Sequence, residues 1–175
     1  MHREELYVRV RHPFRSTARG YEEYQRAWRD LEHGPVSGAD GAYDRRVLAS
    51  WGLIVRAKDA LPFALEMARS GNPEVRAEAT SVFERLRDDA AAVGALVHTV
   101  ETERELEPLD SAIAALGRLR AQQALPALTR LIRDETTDGD TRFTAAQALG
   151  AIVGERFRRG HEIEDALVWL DRQEN

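Results

Sequence analysis

The chain has no cysteine. Disulfide staples and thiolate metal sites are therefore excluded, and nothing requires an oxidising compartment. Lysine is nearly missing as well: Lys58 is the only one, and every other basic side chain is arginine. Codon bias toward arginine accounts for this. The functional alternative is a need for planar guanidinium contacts to carboxylate or phosphate. Aromatic residues are few at 7%, while alanine is plentiful, which suits closely packed helices. No apolar run approaches the length of a membrane span. The opening MHREELYVRVRHPF has no secretory hydrophobic region, so a cytoplasmic protein without membrane contact is expected. Glycine-rich phosphate loops, nucleophile elbows and ordered Ser/His/Asp sets are also missing. The histidines His2, His12, His33, His98 and His161 do not keep the two-histidine helical spacing of a zinc hydrolase. The polar run from His161 to Asp165 reads as an acid-rich helix start rather than a metal site. Neither catalytic residues nor a cofactor is expected.

What is present is an ordinary globular composition. The 175 residues are 43% hydrophobic and 31% charged, enough for one domain with a real core. A net charge of −5 argues against broad electrostatic attraction to nucleic acid.

Residues 1–19 differ from the rest. Leu6, Val8 and Val10 alternate with Tyr7, Arg9 and Arg11, a period of two ended by His12-Pro13. The reading is an extended arm lying along the helices or pairing with another chain. Tyr21, Tyr24, Trp28 and Leu31 then share one helical face and suit a cap over the open end of a stack. Gly34-Pro35 and the glycines Gly38 and Gly41 form a linker.

From Tyr43 the pattern is helical and repeated. Leu48, Trp51 and Ile54 face one way. Asp59 is a candidate N-cap for a helix carrying Leu61, Leu65 and Ala68. Glu74–Arg87 follows with Val75, Ala79, Val82, Phe83 and Leu86 inward. Ala90–Thr102 carries Val93, Leu96, Val97 and Val100. An acidic loop over 103–108 precedes Leu109–Arg120, with Ala112, Ile113, Leu116 and Leu119. Ala124–Gly154 contains the clearest pair, and Glu162–Arg172 closes the chain with Ala166, Leu167, Trp169 and Leu170. The register repeats. Leu61, Val93 and Leu125 are spaced by 32, as are Ala64, Leu96 and Leu128, and Ala68, Val100 and Ile132. Trp51, Phe83, Leu116 and Leu149 step by 32, 33 and 33, as do Ile54, Leu86, Leu119 and Ile152. Gly52, Gly117 and Gly150 occupy equivalent places where small residues let helices approach. Helix pairs at such a period bury their apolar faces only by stacking. The expected fold is all-α: an α-solenoid of about four helix pairs over 20–175, with terminal capping helices.

The text ALPALTRLI, a following Asp138, and TRFTAAQALGAI resemble HEAT repeats, in particular the short bacterial kind similar to phycobilisome-lyase repeats. The resemblance covers about residues 43–154. It implies that Asp138 and Arg142, and Asn72 with Arg76, form parts of a polar ladder between repeats. Asp110-Ser111-Ala112 interrupts that ladder. The regular stack, its varied surface chemistry and the lack of a catalytic constellation point to a non-catalytic scaffold binding a protein or peptide partner. The alternatives are a nucleic-acid-binding or DNA-glycosylase-like relative, or an accessory enzyme related to bilin lyases. The tryptophans sit at cap or core registers, which disfavours the glycosylase reading.

Second helices of such pairs commonly line a concave docking face. Outward positions there are Glu78, Ser81, Arg85, Ser111, Ala115, Arg118, Thr144, Gln147 and Ala148. Charge is uneven along the chain. Glu101, Glu103, Glu105 and Glu107 form an acidic segment offset only by Arg104. Arg118, Arg120, Arg130 and Arg133, then Arg156, Arg158 and Arg159, form basic ones. Such segments either attract a partner of opposite sign or pair within the molecule.

Overall fold

A computed structural model describes residues 57–86 and 89–174. The expected arm, the aromatic cap helix, the linker, and the positions Leu48, Trp51, Gly52 and Ile54 lie outside the described residues. These contain seven α-helices and no strand. They fall into two compact units that part between Arg85 and Leu86.

The described part of the first unit is one helix pair. Helix α1 spans Ala57–Met67 and α2 spans Pro73–Arg85. Asp59 lies inside α1 rather than at its cap, and Pro62 sits within the helix. The inward residues of α1 include Ala64 and Met67, both almost fully buried; methionine's unbranched side chain adapts to such a place. The turn is built by side chains. Asn72 Oδ1 accepts from the Glu74 amide at 3.0 Å, satisfying one of the unpaired donors at the start of α2. Pro73 at the first helical position needs no donor. Val75, Ala79, Val82 and Phe83 form the inner face, as the spacing requires.

The second unit contains α3 (Ala90–Thr102), α4 (Leu106–Leu119), a 3-10 turn (Gln122–Ala124), α5 (Leu125–Arg133), α6 (Gly139–Val153) and α7 (Glu162–Gln173). It is a helical repeat stack of the α-solenoid kind. α3 pairs with α4 and α5 with α6; the two second helices, α4 and α6, lie side by side, and α7 closes over α5 and α6. Asp89 caps α3 by accepting from the Ala91 and Ala92 amides. α4 starts earlier than expected, so the acidic connection shrinks to 103–105 and Glu107 joins the first turn of α4. An acid there is favoured by the partial positive charge of a helix start. Glu103 Oε1 accepts from the Arg104 and Glu105 amides at 2.8 and 3.0 Å and orders this short connection.

The repeated apolar register is the core. Leu96 and Leu128, and Leu116 and Leu149, are fully buried, as is Phe83 at the matching place in the first unit. Among the edge positions of the register, Leu61, Leu119 and Leu125 are only partly covered. α7 docks with Ala166 and Leu170 inward. Arg133 of α5 holds its far end through Asp171 at 3.1 Å and Glu174 at 3.0 Å. Arg158, in the connection before α7, binds Asp165 through two side-chain nitrogens, while its backbone amide donates to the same carboxylate at 2.8 Å. Those bonds hold the Asp165 carboxyl at about 2. The pair's stabilisation is thus present above the ordinary carboxylate range and lost as pH falls toward that value.

α4 ends on Arg120 in the left-handed conformation, φ 52°. The Arg120 amide donates to the Gly117 carbonyl and the Ala121 amide to the Leu116 carbonyl, both at 3.1 Å. This is the doubly bonded helix stop that glycine normally occupies. α6 ends on such a glycine, Gly154 at φ 79°. A side chain at this φ is strained, whereas glycine costs more entropy on folding. Arg120→Gly is expected to stabilise the fold by up to about 1 kcal/mol, read as a raised urea midpoint. An unchanged or lowered midpoint counts against strain at this cap.

Candidate interaction surface

The candidate surface is the outer side of the second helices. On α6, Asp140, Phe143, Gln147 and Ala151 are exposed at helical spacing, with Thr144 partly exposed among them. The matching line on α4 is Glu107, Ser111, Ala114 and Arg118, exposed at its two ends and partly covered between. Glu107 stands one repeat, 33 residues, before Asp140; Ser111 before Thr144; and Arg118 before Ala151. Two neighbouring helices therefore present equivalent rows.

The structure places Ser111, Arg118, Thr144 and Gln147 on these rows. Glu78 and Ser81, partly exposed, and Arg85, exposed, lie on α2 in the first unit. Ala115 and Ala148 do not belong to the surface; Ala115 is 0% and Ala148 4% exposed. The reason is the close approach of α4 and α6. A Cβ built on Gly117 would stand 2.9 Å from Ala148 Cα, so this side of each helix faces its neighbour rather than solvent. Gly150 is also crowded, but by Phe157 and the Glu155 carbonyl, from the segment that follows α6.

Phe143 is the residue that the sequence reading missed. It is 38% exposed, although its residue type belongs inside. Its position was readable: it falls between Asp140 and Gln147 on the polar side of α6, three places beyond one and four before the other.

The polar contacts also depart from a ladder between repeats. Asp138 caps its own helix, accepting from the Asp140 and Thr141 amides at 3.0 and 3.3 Å. Arg142 donates from Nε and Nη2 to the Ile132 carbonyl at 3.1 and 2.9 Å. Arg76 does the same in the first unit, donating to the Ser70 carbonyl at 2.8 Å. Arg142 thus satisfies a carbonyl in the last turn of α5, and Arg76 one in the connection between α1 and α2. A side-chain bond joins successive repeats between Thr141 and Asp110, in the Asp110-Ser111-Ala112 stretch that interrupts the motif. Thr141 Oγ1 donates to Asp110 Oδ1 at 2.8 Å, and Thr141 is fully buried.

Burial pushes the Asp110 carboxyl above its ordinary value; the Thr141 hydrogen bond pulls it down, and Asp138 and Asp140 add to the rise. Because the folded state holds this proton more firmly than the unfolded chain, the associated stabilisation is complete below about pH 3.8. It is lost as pH rises through the raised folded value. An asparagine keeps an acceptor for Thr141 without the charge. Asp110→Asn is therefore expected to raise the melting temperature at pH 7, with the advantage fading as pH falls toward 4. Equal gains at both pH values would show that charge is not the cause.

Among the described residues no three metal-ligating side chains gather, and no helix is long and apolar enough to cross a membrane. The acids after His161 have local partners: Glu162 accepts from the Gly160 amide, and Asp165 holds Arg158. Of the arginines in the basic segments, Arg133 and Arg158 are paired within the unit.

No curated protein and no solved structure matches the chain. Residues 109–167 match the family model described as HEAT repeats, a stretch that begins within α4 and includes α5, α6 and the first part of α7. With paired helices stacked in register and their large apolar residues turned inward, this part of the chain is similar to HEAT repeats.

Proposed function

We propose that the chain is a non-catalytic scaffold that binds another protein or peptide through the outer rows of its second helices. The residues assigned to this are Ser111, Arg118, Thr144 and Gln147 in the second unit and Glu78, Ser81 and Arg85 in the first. HEAT repeats generally serve protein–protein interaction, and the cytoplasm is the compartment this reading assigns. The observation that carries it is the exposed row on α6, where Phe143 stands among Asp140, Thr144 and Gln147. An aromatic left 38% exposed on an otherwise polar helix face is available to a partner, and aromatic side chains are the typical anchors of interfaces. The internal pairing of Arg133 and Arg158 weakens the nucleic-acid alternative.

The test places a photo-crosslinking amino acid at Gln147 or Arg118 and, as a control, at Arg130 on the exposed side of α5. Irradiation in the native host is expected to give a discrete protein adduct from the first two positions and none from the third. Equal adducts from all three positions, or none at Gln147 and Arg118, overturn the assignment. A salt-sensitive shift of labelled DNA or RNA would favour the rival reading.

A further inference from the structure

We infer that the partner segment seated on the α4–α6 face is basic, with an arginine or lysine lying against Phe143. This rests on the protein-binding reading of the same face and specifies the chemistry of its occupant.

Three observations converge. First, Phe143 is 38% exposed on α6, in line with exposed Asp140 and Gln147. Second, the starting ends of the two rows are acidic, while Arg118 stands at the far end of the α4 row. Asp140 precedes it by three residues on the same face, and Glu107 is exposed at the equivalent place on α4. Asp110 and Asp138 complete the group, and Asp110 lies near enough to Asp138 and Asp140 for both to oppose its ionisation. Third, no ion pair within the described residues neutralises this group. Arg142, the basic side chain nearest in sequence, turns back to the Ile132 carbonyl. None of the four acids forms an ion pair with a described residue. The helix starts offset part of this charge, but Asp110, beyond the first turn of α4, gains little from that.

An aromatic face flanked by carboxylates is complementary to a cation carried on an apolar stem. The ring quadrupole attracts arginine or lysine, their methylenes cover the ring, and the acids supply the charge partner. An acidic segment would meet like charge, and a phosphate backbone would be repelled in the same way. The charged side chains also set the salt behaviour: attraction across an exposed face weakens as ionic strength rises.

The test uses the full chain and three labelled amphipathic peptides of about 18 residues, long enough to fold on contact. Each carries leucine at helical spacing on one face, with arginine in one peptide, glutamate in the second and glutamine in the third on the other face, and binding is read by fluorescence anisotropy. The arginine peptide is expected to bind most tightly and to weaken markedly with added salt. Phe143→Ala is expected to weaken it about tenfold, and Glu107→Gln with Asp140→Asn about fivefold. Glu155→Gln with Glu164→Gln removes as much charge elsewhere on the unit and is expected to leave binding unchanged. Circular dichroism melts confirm that each variant is folded.

An arginine peptide bound no better than the glutamine peptide, or weakened equally by the distant pair, overturns the inference. If the glutamate or glutamine peptide instead binds and is lost in Phe143→Ala, the face is an interaction surface with a different occupant. If no peptide binding depends on this face, both readings fall.

Discussion

Leu149→Asp is expected to remove cooperative folding of the α5–α6 pair. Leu149 is 0% exposed and lies on α6, which packs against α4, α5 and α7. Deleting such a side chain to alanine costs about 2–5 kcal/mol through lost burial and the cavity left behind. Aspartate adds a carboxyl with no partner designed for it. It is held neutral by burial or forces the site open to water, and each route costs a few kcal/mol more. The sum, roughly 5 kcal/mol or above, rivals the whole stability of an ordinary domain. Far-ultraviolet circular dichroism across a urea titration should show a much earlier or lost transition. Gln147→Asp, two residues away on the exposed row, is the control and should change stability by about 0.5 kcal/mol or less. Similar behaviour of the two variants would refute the repeat register.

That register was legible because it depends on a property the sequence carries directly. Large apolar residues recur at Leu96 and Leu128 and at Leu116 and Leu149, and a repeat that stacks in a line places equivalent residues in equivalent environments. The ends of helices were less legible. Asp59 has the right residue type for a cap, yet α1 includes it. Leu106-Glu107-Pro108 reads as connection by composition but forms the first turn of α4. In both cases local preference competes with tertiary packing, and packing decides. The surface was only half legible. Gln147 and Arg118 are exposed where expected, but Ala115 and Ala148 are buried because an alanine alone does not reveal whether its small size serves solvent or a close neighbour. Asp110 posed the same difficulty. As an interruption in a motif it looked like a defect; its role depends on Thr141, thirty-one residues away, and no local pattern reports that pairing.

The close approach responsible for those buried alanines yields a prediction with opposite signs in neighbouring helices. Gly94 in α3 and Gly117 in α4 are both interior helical glycines, so replacement by alanine gains about 1 kcal/mol from backbone preference alone. Around Gly94 a new Cβ meets nothing within 4 Å, and Gly94→Ala should stabilise by roughly that amount. At Gly117 the new Cβ would meet Ala148 Cα at 2.9 Å and Ala148 Cβ at 3.0 Å. The first of these atoms is backbone and cannot rotate away, so α4 and α6 must separate. Forcing packed helices apart costs about 1–3 kcal/mol, enough to reverse the gain from backbone preference. Gly117→Val adds two further methyl groups and a β-branched stem, and should destabilise by about 3 kcal/mol. Separation would also strain the Thr141–Asp110 hydrogen bond and displace the two exposed rows relative to each other. Urea midpoints of the three variants therefore test the packing, and peptide binding by Gly117→Ala, measured where it remains folded, tests whether the face depends on it. A stabilising Gly117→Ala would mean that the helices are not in contact at this point, and the platform assigned to partner binding would lose its rigid base.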